Sequence, residues 1–193
     1  MGEPANTINN KWGIAKYNKW IEEGRPIDSN VIELDIGSSK ITSLDGIENL
    51  TKLEKLGCSH NQITSLFGVE HLTNLTTLDC YANQITSLFG VEHLTNLTRL
   101  TCDFNHLTSL DGIEHLTNLT ELYCYSNQLT SLDGIEHLTN LTYLMCERNQ
   151  ITSLNGIENL RQLGYLSYDN NPIEHIPPNI TRIINRIQNG QNI

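Results

Sequence analysis

Leu75-Thr76-Thr77-Leu78-Asp79-Cys80-Tyr81-Ala82-Asn83-Gln84-Ile85-Thr86-Ser87-Leu88-Phe89-Gly90-Val91-Glu92-His93-Leu94 decides the fold, because the chain says it again and again. Asn61, Asn83, Asn105, Asn127, Asn149 and Asn171 recur at a spacing of 22 residues. The frame runs back to Leu34-Asp35-Ile36, with Ser39 at the Asn position, and forward through Leu163 to Asn171. Within each copy the segment around Leu78-Asp79-Cys80 alternates apolar and polar, which is strand periodicity. One copy cannot bury its own apolar side, whereas stacked copies bury each other's. The pattern therefore predicts a solenoid of seven strand-bearing turns, with parallel strands roughly 4.8 Å apart and a sheet of roughly 30 Å. The return half of each copy is too short for a long helix, so extended or 3₁₀ pieces are expected there.

The columns have separate meanings. Leu53, Leu56, Ile63, Leu66, Val69, Leu72 and their equivalents are core. Gly46, Gly68, Gly90, Gly112, Gly134 and Gly156 mark a positive φ or a close backbone approach. The Asn column sits where the strand bends into the loop, and a buried amide there can bond the loop backbone of its own and neighbouring turns.

A solenoid needs caps. Residues 8–23 read as a helix stopped by Gly24 and Pro26, with Ile14, Tyr17 and Ile21 on one face and Trp12 and Trp20 off it. At the other end Pro177-Pro178 opens a short helix whose Ile180, Ile183, Ile184 and Ile187 form one stripe. This helix is expected to cover the last turn, its rival role being a free helix that docks on a partner. The expected organisation is a capping segment over 1–30, a solenoid over 31–176 and a capping helix over 177–193.

Leu75, Leu78, Cys80, Asn83 and Ile85 match the pattern L-x-x-L-x-L-x-x-N-x-L, with Cys in the third Leu position. The chain resembles the leucine-rich-repeat family over about residues 31–176. Its 22-residue unit is similar to that of bacterial internalins and of a regulatory subunit of a Ser/Thr phosphatase. The resemblance implies an α/β horseshoe with a parallel sheet on the concave face and a 3₁₀ or extended convex side. It implies a role in binding proteins, though the fold hosts many partners. The near-identity of the copies and the Ile/Asn bias resemble repeat proteins of large DNA viruses, protists or intracellular bacteria.

The formal net charge of −10 disfavours nucleic acid and anionic membranes as ligands. It points to a protein partner with a basic or mixed-charge surface. No apolar run reaches the roughly 18 residues of a membrane span. Met1-Gly2-Glu3-Pro4 does not open a secretory signal, and Asn6 spoils a myristoylation reading of Gly2. The sequons Asn74-Leu75-Thr76 and Asn96-Leu97-Thr98 then carry no glycosylation meaning. A cytoplasmic location follows, that of a host cell included.

Cys58, Cys80, Cys102, Cys124 and Cys146 share one inward strand column and read as small buried hydrophobes in a reducing compartment. Side chains parallel along a line neither converge on zinc nor meet disulfide geometry. His71, His93, His115 and His137 form an outward ridge, to be read as a solvated stripe or as a pH- or metal-sensitive one. Phe67 and Phe89 replace Asp or Asn in their column. They mark a second contact, support weak self-association of an otherwise monomeric chain, or pack onto the neighbouring turn. No nucleophile elbow, metalloprotease or phosphate-loop motif is present, so neither catalysis nor a cofactor is expected.

Divergence between copies concentrates on the outward strand positions. These read Glu33, Lys55, Thr77, Arg99, Glu121, Tyr143, Tyr165 in one column and Asp35, Gly57, Asp79, Thr101, Tyr123, Met145, Ser167 in the next. The third reads Gly37, Ser59, Tyr81, Asp103, Tyr125, Glu147, Asp169, followed by Ser38, His60, Ala82, Phe104, Ser126, Arg148, Asn170. Aromatic and Met side chains cluster in the later copies, and Tyr, Met and Arg are enriched at interfaces. The expected partner-binding residues are Tyr81, Arg99, Asp103, Phe104, Glu121, Tyr123, Tyr125, Tyr143, Met145, Glu147, Arg148 and Tyr165, anchored on Tyr123, Tyr125 and Tyr143. Three functions compete: an adaptor holding one protein on the concave face, a surface adhesin of internalin type, and a regulatory subunit of a bound enzyme such as a phosphatase.

Overall fold

Each repeat contributes three residues to one sheet, flanked by Leu on the inside. In a computed structural model of the chain, which describes residues 11–26 and 30–190, the strands are β1 (Lys11–Gly13), β2 (Glu33–Asp35), β3 (Lys55–Gly57), β4 (Thr77–Asp79), β5 (Arg99–Thr101), β6 (Glu121–Tyr123), β7 (Tyr143–Met145) and β8 (Tyr165–Ser167). They lie in sequence order in one parallel sheet. The register advances one repeat per strand, Leu56 beside Leu78 and Leu78 beside Leu100. Eight strands at about 4.8 Å make a sheet about 34 Å long. The return side carries one 3₁₀ turn per repeat, from Ile47–Asn49 to Ile157–Asn159. The solenoid with its parallel sheet and 3₁₀ back is the architecture that the repeat predicts.

The core is one continuous stack. The inward Leu, Ile and Val of the inner turns lie at or near zero exposure, with Cys58, Cys80, Cys102, Cys124 and Cys146 among them. The thiols are free and buried, and several lie within hydrogen-bonding distance of a carbonyl of the next strand, as Cys102 does to Tyr123 O at 3.2 Å.

The Asn ladder stitches turns together. Asn105 donates from Nδ2 to the carbonyls of Cys80, Cys102 and Asp103 and accepts at Oδ1 from the N–H of Ile85. Each Asn thus serves its own turn and the one before it. Its equivalents bond the N–H of Ile41, Ile63, Leu107, Leu129 and Ile151. In the last turn the corresponding N–H, of Ile173, is donated to the carbonyl of Asn171 instead. The Leu-Thr-Asn-Leu-Thr stretches form a second ladder on the outside. Asn96 donates to the carbonyl of Thr73, and the Thr98 hydroxyl to that of Thr76. The sequon residues are therefore structural cross-links.

The glycine column holds φ near +90 to +99° throughout. At Gly68, Gly90, Gly112 and Gly156 the N–H is taken by the Glu two residues on, Gly90 N to Glu92 Oε2 at 2.7 Å.

The N-terminal end departs from the sequence reading. The helix α1 spans Ile14–Glu22 rather than residues 8–23, of which 8–10 lie outside the described residues. Residues Lys11–Gly13 form an eighth strand that pairs with β2, Trp12 beside Leu34. Trp12 falls off the helical stripe because it belongs to a strand and points into the core as the Leu of later repeats does. Trp20, off the expected stripe, is buried, with its ring 6.0 Å from that of Trp12 in an edge arrangement. Its indole N–H donates to the carbonyl of Pro26. At the C-terminal end the helix α2 (Pro178–Gln188) buries Ile180 and Ile184 against the last turn. Arg186 bonds the carbonyls of Leu160 and Leu163.

Candidate functional site

Strand residues two apart face the same side, so the outward columns stand in rows along the sheet. The structure places the expected partner-binding residues on that face, in two aromatic rows rather than one cluster. In the first row Tyr143 stacks on Tyr165 with ring planes 5° apart and centroids 4.1 Å apart, and Tyr123 lies against Tyr143 at 5.1 Å. Arg99 extends the row, its guanidinium 4.7 Å from the centre of the Tyr123 ring. Arg99 also pairs with Glu121 at 2.8 Å, and the Tyr123 hydroxyl donates to the same carboxylate.

The second row runs His60, Tyr81, Phe104, Tyr125 in successive edge-to-face contacts of 4.9, 5.4 and 4.9 Å. Such pairs are favourable because the positive ring edge meets a negative ring face. The expected anchor of Tyr123, Tyr125 and Tyr143 is thereby divided: Tyr123 and Tyr143 join the first row, Tyr125 the second. Met145 stands beside Tyr123 in the register of the two strands.

A feature that sequence reasoning missed shapes the second row. Ser38, His60, Ala82, Phe104, Ser126, Arg148 and Asn170 all take a left-handed backbone, φ between 52 and 59°. Each chain turns sharply there, and the rings of His60 and Phe104 are set beside their tyrosine neighbours. The signal was in the column's composition, which contains no β-branched residue, the type that this conformation excludes most strongly.

Asp103 corrects the expectation of an outward contact residue. It is 2% exposed, and its Oδ1 accepts the N–H of Tyr125 at 2.8 Å. Burial pushes its carboxyl up to about 7, against the pull of that N–H, with Glu147 and Asp79 adding repulsion. The residue supports the row without offering itself to a partner. Burial likewise raises Tyr125 and Tyr143 to about 12, Tyr125 paired with the hydroxyl of Tyr81 and Tyr143 with that of Tyr165. Both stay protonated donors. Glu147 is half-buried, and its Oε2 is shut off from water with no hydrogen-bond partner among the described residues. Arg148 and Tyr165 are exposed, as is Phe104 at 41%.

Away from this face, Phe67 and Phe89 are 62% and 65% exposed. Each donates its N–H to the hydroxyl of the Ser two residues before. The histidine ridge is exposed, each imidazole 3.5 to 3.8 Å from the preceding Glu. Among the described residues no group of three or more His, Cys, Asp or Glu could hold a metal ion. No helix among them is long and apolar enough to cross a membrane.

Comparison with known proteins agrees with this geometry. No curated protein sequence matches. Solved structures do. An internalin (inlF) of Listeria monocytogenes superposes with a TM-score of 0.76 at 31% identity over 82% of this chain. Internalin C2 of the same organism gives 0.73 at 30% over 77%. A leucine-rich-repeat protein of Leptospira interrogans gives 0.68 at 26% over 80%. The chain spans 46%, 66% and 46% of those three chains. The model of the leucine-rich repeat in two copies matches residues 29–71, 51–94, 73–115, 95–137 and 117–161, and with the 22-residue register, the Asn ladder and the parallel sheet this establishes that the chain belongs to the leucine-rich-repeat family.

Proposed function

We propose that the chain is a non-catalytic module that holds one protein partner against its sheet face. The supporting observation is the aromatic surface: two rows of contacting rings lie on the face where the copies differ, while the rest of each copy is almost unchanged. Solvated positions drifting freely would not gather rings into contact. Rings already held by their neighbours lose little freedom on binding, which favours affinity. Acids on this face outnumber bases, so a partner with a basic or mixed-charge surface fits it. Nucleic acid does not fit a chain of this charge. Five buried thiols suit a reducing, cytoplasmic setting.

The test is affinity capture from a eukaryotic cytosolic lysate, with mass-spectrometric identification, beside a Tyr123/Tyr125/Tyr143→Ala variant of verified fold. A partner that the variant loses supports the reading. A partner that both retain moves the site to Phe67 and Phe89 or to the terminal helices.

The likeness to the Listeria internalins favours a second reading, a surface adhesin. Fractionation of the source cells with surface proteolysis separates the two, because an adhesin is degraded on intact cells. A regulatory subunit differs from an adaptor in consequence, and an activity assay on the captured partner tells them apart.

A further inference from the structure

We propose that Glu147, beside Tyr125 and Tyr143 on the sheet face, is the seat of a guanidinium group, an arginine side chain of the bound protein. The inference rests on the sheet-face reading and names what that face recognises.

Glu147 follows Met145 on the outward side of β7 and lies one repeat on from Tyr125 in the same column. Its charge raises Asp103, Tyr125 and Tyr143 alike, in keeping with that position. Its Oε2 is desolvated without a donor among the described residues. A carboxylate in that state costs free energy that a cation offsets. Among the described residues no Lys, Arg or His forms an ion pair with Glu147 or Asp103, although Glu121, Glu33 and four ridge glutamates each have one.

The protein carries its own precedent next door. Arg99 lies over the Tyr123 ring and against the Glu121 carboxylate, satisfying ring and charge together. Glu147 with Tyr125, its neighbour one repeat back in the same column, offers a carboxylate beside a ring with no cation in place, whereas Tyr143 is already flanked by Tyr123 and Tyr165. Guanidinium is the better occupant than ammonium, because it is planar, weakly hydrated and able to stack on a ring while bonding a carboxylate in its plane. Asp103, buried behind Tyr125 and accepting its N–H, brings no cation that would compete for the Glu147 carboxylate.

The test is a nuclear-magnetic-resonance titration of the isotope-labelled chain with Nα-acetyl-arginine amide. Nα-acetyl-citrulline amide serves as the neutral isostere and Nα-acetyl-lysine amide as the ammonium rival. The expected result is a saturable shift of the Tyr125, Tyr143 and Glu147 amides with the arginine probe and none with citrulline. Glu147→Gln weakens that binding about tenfold, while Glu54→Gln leaves it unchanged. The urea midpoint of Glu147→Gln stays level or rises, since an unpaired desolvated carboxylate has been removed. Equal shifts with citrulline, tighter binding of lysine, unaltered binding by Glu147→Gln, or a lowered midpoint would each overturn the inference. If the probe fails while the triple alanine variant still loses a captured partner, the arginine seat falls and the sheet-face reading stands. If the probe seats at Glu147 and the triple variant keeps its partner, the carboxylate binds guanidinium, but the sheet-face reading falls and the claim that a partner's arginine fills the seat falls with it.

Discussion

Asp103 ionises at about 3.8 when free, and in the folded chain it keeps its proton up to about 7. Below both values it is neutral in either state and costs nothing. Between them the unfolded chain releases the proton and the folded chain holds it, so stability falls as pH rises through that window. Asp103→Asn keeps the acceptor for the Tyr125 N–H and removes the charge. It is expected to raise stability at pH 8 by about 2 kcal/mol, an advantage that shrinks towards pH 4. Urea midpoints at the two pH values check this, and a pH-independent difference sinks it. Asn105 has the opposite character, since its four bonds reach groups with no other access to water. Asn105→Ala is expected to cost about 3 kcal/mol in a urea titration, and an unchanged midpoint would contradict the ladder. That Asn role is readable from the sequence because a polar side chain recurs among core positions. The burial of Asp103 is not, because an outward strand position says nothing about which neighbouring rings lean over it.

At the level of elements, the repeat reads clearly and the ends less so. Every inner turn is written several times, so any one copy corrects the reading of another. The N-terminal segment occurs once, and Lys11–Gly13 carries a single Trp where the repeats carry Leu. Three residues without a second copy give no period, and the apolar positions after them suggest a helix that swallows the strand. Trp12→Ala is expected to cost about 3 kcal/mol by opening the end of the core, and thermal melting monitored at the sheet tests it. A purely helical role for Trp12 would leave the pairing of β2 intact and the loss smaller. The glycine turns give a second test. Gly112 holds φ +98°, and an added Cβ would meet Glu92 Oε2 at 3.3 Å. Gly112→Ala is expected to lower stability by about 1–2 kcal/mol in urea. Gly24→Ala, at φ +84° in open space, isolates the backbone part of that cost.

For the whole molecule, the stack of nearest-neighbour contacts sets how it comes apart. Inner turns have a neighbour on both sides, whereas terminal turns depend on a cap. Hydrogen exchange is expected to be slowest at Leu100 and Leu122 and faster at Leu166, which is less buried than its equivalents. Uniform protection would argue for all-or-none opening. The five thiols report the same process chemically. Burial holds them well above the usual thiol range. A thiol reagent is therefore expected to find almost none of them in the native chain and all of them once it unfolds.

The Asn ladder has a further consequence, which concerns how such a chain can lengthen. Each amide reaches backwards, so a turn is completed by its successor. A unit added or lost by recombination leaves every remaining rung intact if the step is a whole 22 residues, and severs one if it is not. The local bond from Ile173 to Asn171 lets the series stop after any unit without an orphaned amide. The array behaves like a ratchet, free to change its copy number in whole teeth and unable to slip by part of one.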